Sequence, residues 1–312
     1  MHELVEVVVP CFNEQSVINT YLEVTCPILD SLPIPWGIVF VDDGSSDATL
    51  DAIRAASQAH AEIDYVSFSR NFGKEAALMA GMRKALARGA TKVIVMDVDL
   101  QDPPDLIPSM LETMNSESVD VVATYRRTRD GEPPIRSWFA HRFYNIINSI
   151  SDVEMRDGAR DFRLMSRRVV ESIVSMPETQ RFSKGLFSWV GFHTTWLGYD
   201  NVERAEGNTH WSFFSLVGYA LDGIIAFSTA PLAAISLLGL ATFLLAMLFL
   251  VLVFVRALLF GDPVAGWPSL VCIVLLLSGL QLLSLGIVGL YVSKMYQEVK
   301  RRPLYVVKEE SQ

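Results

Sequence analysis

"VIVMDVDLQDPPDLI", residues 93–107, passes from an apolar, β-branched run straight into four carboxylates, Asp97, Asp99, Asp102 and Asp105. The apolar half reads as a buried strand carried through Asp99, which Pro103 and Pro104 keep from continuing. Runs of the same kind lie at 4–10, 36–43, 64–69 and 119–125, separated by helical patterns over 14–30, 48–60, 74–88 and 104–115. Strand and helix in alternation predict an α/β domain, a mostly parallel sheet with helices on both faces. Such sheets bind ligands outside the carboxyl ends of their strands. The runs all end in polar residues: Asn13 and Glu14, Asp42 and Asp43, Arg70 and Asn71, Asp97 and Asp99, Arg126 and Arg127. The acidic cluster thus falls where a ligand is expected.

The 312 residues are 51% hydrophobic, and the apolar excess lies after residue 223. Residues 223–255 and 263–293 carry no charged side chain. Each stretch exceeds the roughly 20 residues that cross about 30 Å of hydrocarbon. The intervening "RALLFGDP" reads as a short hairpin loop. Two spans return the chain to the side of the sheet domain, which the basic cluster Lys294, Lys300, Arg301 and Arg302 marks as cytoplasmic. The start, "MHELVEVVVP", enters a strand pattern without the basic and apolar regions of a signal peptide, so the first domain is expected in the cytoplasm. Amphipathic patterns at 135–150 and 212–228 are expected to lie on the bilayer. The expected divisions are a sheet domain at 1–210, a juxtamembrane helix at 211–228, two spans at 229–293 and a basic tail at 294–312. Paired hairpins of this kind favour a homo-oligomer.

A net charge of −9 argues against nucleic acid as a partner. Cys11, Cys26 and Cys272 lack metal-binding spacing and read as small core residues. No G-x-G-x-x-G follows a strand, and Phe68 stands where a Walker loop needs its first glycine. Asp97 and Asp99 form a D-x-D whose mutual repulsion a divalent cation relieves. Mg2+ or Mn2+ there keeps open positions for a diphosphate, and Gln101 offers a further oxygen. In "VDDGSSDAT", residues 41–49, Gly44 permits a tight turn and Ser46 or Asp47 caps the next helix. The pair Asp42 and Asp43 before that turn is left over for a base or ribose.

Taken in order, "VVVPCFNE", "VDDGSSDAT", "SRNFGKEAALMAG" and "MDVDLQDPPDLI" resemble glycosyltransferase family two, with its GT-A fold. With "GARDFRLMSR", "RFSKGLFSWVG", "ERAEGNTHWSF" and the two-span tail, the chain is similar to polyprenyl-phosphate glycosyltransferases over essentially its whole length. Bacterial GtrB-type glucosyltransferases and dolichyl-phosphate mannose synthases belong to that group. The resemblance implies Pro10, Phe12, Glu14 and Asp43 around the base and ribose, Asp97, Asp99 and Gln101 at the metal and diphosphate, and Arg204 near the leaving group. It also implies Asp157 as a base near the nucleophile. His210 stands where relatives often carry lysine. The implied reaction is attack of a polyprenyl phosphate on C1 of a UDP-sugar, glucose first, with inversion at the cytoplasmic face of the inner membrane. Among Arg126, Arg127, Arg129, Arg136 and Arg142, Arg126 and Arg136 are favoured for the acceptor phosphate. Alternatives are mannose from GDP-mannose, a non-catalytic nucleotide or lipid adaptor, and a processive polysaccharide synthase. Gln180 and Arg181 lack the Q-x-x-R-W arrangement of the last.

Overall fold

Along β1 (Val5–Cys11) the side chains alternate: Val5, Val7 and Val9 join one buried cluster and Val8 another. This period of two is what a strand covered on both faces requires. The structure, a computed structural model, describes residues 3–127, 148–149, 156, 158–179, 181–200, 228–260 and 266–311. After β1 come α1 (Ile18–Asp30), β2 (Trp36–Asp42), α2 (Thr49–Ala59), β3 (Ile63–Phe68), α3 (Lys74–Ala87), β4 (Lys92–Val95), α4 (Leu106–Glu117) and β5 (Val121–Arg126). The chain continues through β6 (Ala159–Ser166), α5 (Arg167–Ser175), α6 (Ser183–Trp189), β7 (Thr194–Tyr199), α7 (Ala230–Phe260), α8 (Trp267–Lys300) and β8 (Val307–Glu310).

The strands form one eight-stranded sheet in the order β7-β5-β6-β4-β1-β2-β3-β8. β1 pairs in parallel with both β2 and β4, and β2 with β3, as the alternating pattern predicts. β6 is antiparallel to β4 and β5, and β8 antiparallel to β3. Residues from α1, α2 and α4 share a buried cluster with Ile38 and Phe40 on one face. Residues from α3 and α5 cover the other face. Because β2 and β3 lie to one side of β1 and β4 to the other, the connections part between β1 and β4. That switch point opens a crevice at the strands' carboxyl ends.

Three sequence expectations need correction. β4 ends at Val95 rather than running through Asp99. Met96 and Val98 remain buried in the core, which preserves the apolar pattern while the backbone turns, and Leu100 takes a left-handed φ of 56°. The first helix starts at Ile18, not residue 14, because Asn13 is left-handed and residues 14–17 form a turn closed by Val17 N–H on the Glu14 carbonyl at 3.0 Å. The span pattern continues past Arg256 to Phe260, so "RALLF" belongs to α7 rather than to a loop. The amphipathic stretches 135–150 and 212–228 lie almost wholly outside the described residues.

Within α7 and α8, Ala230–Phe249 and Leu276–Lys300 are apolar enough to cross a membrane, and the most apolar windows bury none of their residues against the protein. α8 is tied to the segment entering α7, where the Tyr291 hydroxyl donates to the carbonyl of Ser228, two residues before the helix, at 2.7 Å. The far end of α8 is tied to the sheet domain, since the Glu298 carboxylate accepts from both the backbone N–H and the hydroxyl of Thr179.

Candidate active site

Two loops at the ends of β1 and β2 are stitched together by short polar side chains. Asn13 N–H donates to Ser45 Oγ at 3.0 Å, Ser46 N–H to Asn13 Oδ1 at 2.8 Å, and Glu14 N–H to Thr49 Oγ1 at 2.8 Å. Asp47, one of the two expected caps, accepts the Thr49 N–H at 3.0 Å. Pro10 is held in the β1–β2 ladder opposite Val41, and Phe12 projects from it, 43% exposed.

Asp42 and Asp43 are buried and bind protein. Asp42 accepts from Ser45 N–H at 3.0 Å and from the Ser67 hydroxyl at 2.7 Å. Asp43 reaches across to the loop before α3, where Phe72 N–H and Gly73 N–H donate to its two oxygens at 2.6 and 2.8 Å. Burial raises the Asp43 carboxyl above its ordinary value, and these two amides oppose the rise.

Beyond β4, Lys74 at the first position of α3 bridges two carboxylates. Its Nζ lies 2.6 Å from Asp97 and 2.8 Å from Asp161 on β6. Burial pushes the Asp97 carboxyl up against the pull of Lys74. Desolvation acts upward on Asp161 too, yet Lys74 holds it far below the usual carboxylate range. The lysine itself, despite desolvation, is raised by the same two acids. Asp102 is fully buried and accepts from Arg160 Nε at 2.9 Å and from the Tyr199 hydroxyl. Asp99 is nearly buried and accepts the Gln101 N–H at 3.2 Å, while Gln101 Oε1 accepts from Arg126 Nη2 at 3.2 Å. Asp97, Asp99, Asp102 and Asp161 thus each face a donor, while Asp105 lies exposed to solvent, which answers how a strand can end in negative charge inside a fold.

The crevice brings together Pro10, Phe12, Glu14, Asp42, Asp43, Asp97, Asp99 and Gln101 at and beyond the ends of the neighbouring strands β4, β1 and β2, and Arg126, at the end of β5 beyond β6, reaches Gln101. Asp157, Arg136 and Arg204 lie outside the described residues. Lys74, Arg160, Asp161 and Tyr199 were not singled out from sequence. Lys74 carried a signal: a cation at a helix N-terminus opposes the macrodipole and needs an external reason.

Asp97, Asp99 and Gln101 offer hard oxygen donors. Among the described residues no three His, Cys, Asp or Glu side chains converge on a point. A divalent ion here would therefore draw part of its shell from phosphate and water, which suits Mg2+ or Mn2+ and not a closed zinc site.

Residues 6–174 match Glycosyl transferase family 2. The chain belongs to that family. Its mixed sheet with helices on both faces is the GT-A architecture. Among family members, the putative glycosyltransferase CsbB of Bacillus subtilis (strain 168) is 38% identical over 306 residues, 98% of this chain and 92% of that protein. The bactoprenol glucosyl transferase of Shigella phage SfV is 38% identical over 308 residues, 99% of each chain. Glucosyl-3-phosphoglycerate synthase from Mycobacterium tuberculosis, solved with Mn2+, UDP-glucose and phosphoglyceric acid, superimposes at a TM-score of 0.47 with 20% identity, covering 72% of this chain and 78% of that one. As a family 2 member with two long apolar helices, the protein is a membrane-associated glycosyltransferase.

Proposed function

We propose that this glycosyltransferase moves one glucose from UDP-glucose to undecaprenyl phosphate, with inversion, at the cytoplasmic face of the bacterial inner membrane. The observation that carries the reading is the 38% identity, over 99% of this chain, to a bactoprenol glucosyl transferase. In this reading residues 1–210 are the catalytic domain, 211–228 a juxtamembrane helix, 229–293 a two-span hairpin and 294–312 a cytoplasmic tail. Hairpins from neighbouring copies pair in the bilayer.

A phosphate oxygen of the acceptor forms a bond to C1 of the sugar as the bond from C1 to the UDP oxygen breaks, and UDP leaves with the electron pair. A phosphomonoester has a second pKa of about 6, so the nucleophile is largely dianionic at neutral pH. Asp157 is assigned beside it, to take the proton of the minor monoanionic fraction. Pro10, Phe12, Glu14, Asp42 and Asp43 form the base and ribose end, and Arg204 faces the leaving group. Mg2+ or Mn2+ held by Asp97, Asp99 and Gln101 would supply positive charge to the departing diphosphate. Arg126 and Arg136 bind the acceptor phosphate through their planar donor forks. The contact of Arg126 with Gln101 supports this placement, since it puts an acceptor cation beside the proposed diphosphate subsite.

The test supplies the detergent-solubilised chain with undecaprenyl phosphate and labelled UDP-glucose, UDP-galactose or GDP-mannose. The expected product is a lipid carrying one glucose. Mannosyl lipid from GDP-mannose identifies a mannose synthase, polymer a processive synthase, and UDP binding without turnover an adaptor. Arg126→Ala should raise the KM for lipid far more than that for UDP-glucose, and equal effects remove Arg126 from the acceptor site.

A further inference from the structure

The chain leaving α8 returns to the sheet domain as a strand. β8 pairs antiparallel with β3, Val66 opposite Glu310 and Phe68 opposite Val307. Arg54 grips the Glu309 carboxylate with two bonds of 2.7 Å, and Lys84 Nζ donates to the Ser311 carbonyl at 2.7 Å. Just before β8, the Tyr305 ring stacks on Phe68 with centroids 4.8 Å apart and planes 13° from parallel. Phe68 meets the edge of Phe72 at 5.8 Å, and Arg70 lies over the Phe72 ring at 3.9 Å. The ladder ends at the amides of Phe72 and Gly73, which hold Asp43. A cavity of about 560 Å³, lined by Ser69, Arg70, Phe72, Gln297 and Arg302 among others, separates this loop from the end of α8 and gives the loop room to move. β8 is largely exposed, so it opens more readily than the buried strands.

We propose that Tyr305 is a positioning residue: the C-terminal strand, anchored at α8, fixes the 69–74 loop so that its amides grip Asp43 and Lys74 faces Asp97. The consequence for donor binding rests on the reading of the crevice as the UDP-sugar site; the effect on the loop does not. Loosening the strand lets the loop relax into the cavity and weakens the donor end without touching any reacting atom.

Hydrogen–deuterium exchange on the full chain in detergent tests this. In Tyr305→Ala, peptides over 69–76 should exchange roughly three- to tenfold faster, the scale of one lost aromatic contact, with β2 unchanged. Tyr305→Phe keeps the ring on Phe68 and loses only the Arg83 bond to the hydroxyl at 3.3 Å, so its 69–76 peptides should exchange at the wild-type rate. Faster exchange of β8 with an unchanged 69–76 peptide overturns the proposal. If Tyr305→Ala loosens β2 as well, Glu309→Ala, which releases the Arg54 grip and the Tyr65 contact on β3 but leaves the Tyr305 ring in place, decides by the same comparison. UDP titrated into the same proteins should show Kd raised by a similar factor in Tyr305→Ala, with kcat at saturating donor retained. Wild-type protein that ignores UDP overturns the donor reading and leaves the exchange result standing.

Discussion

Lys74 is one charge serving two acids. Its side chain is 41% exposed, so solvent screens the pair and the effect on stability is modest. Its effect on a bound diphosphate should be larger, because a preorganised charge acts where charge develops. Lys74→Met is expected to lower kcat/KM for UDP-glucose by about a hundredfold in steady-state assays, and Lys74→Arg to recover only part of that. Glu6 lies at the other end of β1, fully buried beside Arg88 at 2.9 Å. Burial raises its carboxyl from 4.5 to about 7, only partly offset by Arg88. The folded state therefore holds this proton more tightly than the unfolded chain. Its favourable contribution is complete below about pH 4.5 and is lost as pH rises through about 7. Unfolding free energies of wild type and Glu6→Gln from denaturant titration should be similar at pH 5 and diverge by pH 8 in favour of the variant, by up to about 3 kcal/mol.

Loops and helices at the crevice depend on two glycines for different reasons. Gly44 has a φ of +67°, and a Cβ there would lie 2.3 Å from the Arg70 carbonyl carbon. Gly44→Ala should cost about 1–3 kcal/mol of stability and also weaken UDP binding, because both donor-side loops must shift. Gly81 lets α3 approach β1, and its Cβ would lie 2.2 Å from Val8 Cγ1. Gly81→Ala should cost a similar amount through overpacking, with UDP affinity of the folded protein unchanged in calorimetry. The elements up to α3 were legible in sequence because their buried faces write themselves as period-two and helical patterns. The end of β4 was not, since Met96 and Val98 stay apolar after the strand has stopped. β8 was not legible either: "VKEE" has no apolar stripe, and pairing with β3 is set by partners some 240 residues earlier. The acids of the crevice could be read locally, whereas Lys74–Asp161 and Arg160–Asp102 join residues 87 and 58 positions apart.

At the scale of the molecule, a charge-balanced crevice sits on a sheet whose last strand follows directly from a long apolar helix. Side chains such as Leu237, Leu276 and Leu285, each about 70% exposed, leave an apolar surface that water does not tolerate over such a length. The chain should therefore stay with the membrane fraction through alkaline carbonate and leave it only in detergent; release by carbonate alone removes the two-span reading. The central claim is that acids at the switch point, balanced by Lys74 and Arg126, receive an anionic donor through a divalent ion. Calorimetric titration of UDP into the detergent-solubilised full chain, with Mn2+ or with EDTA, tests it most directly. Binding at least tenfold tighter with Mn2+, and a gain that vanishes in Asp99→Asn, is the predicted result; equal affinity under both conditions in the wild type contradicts it.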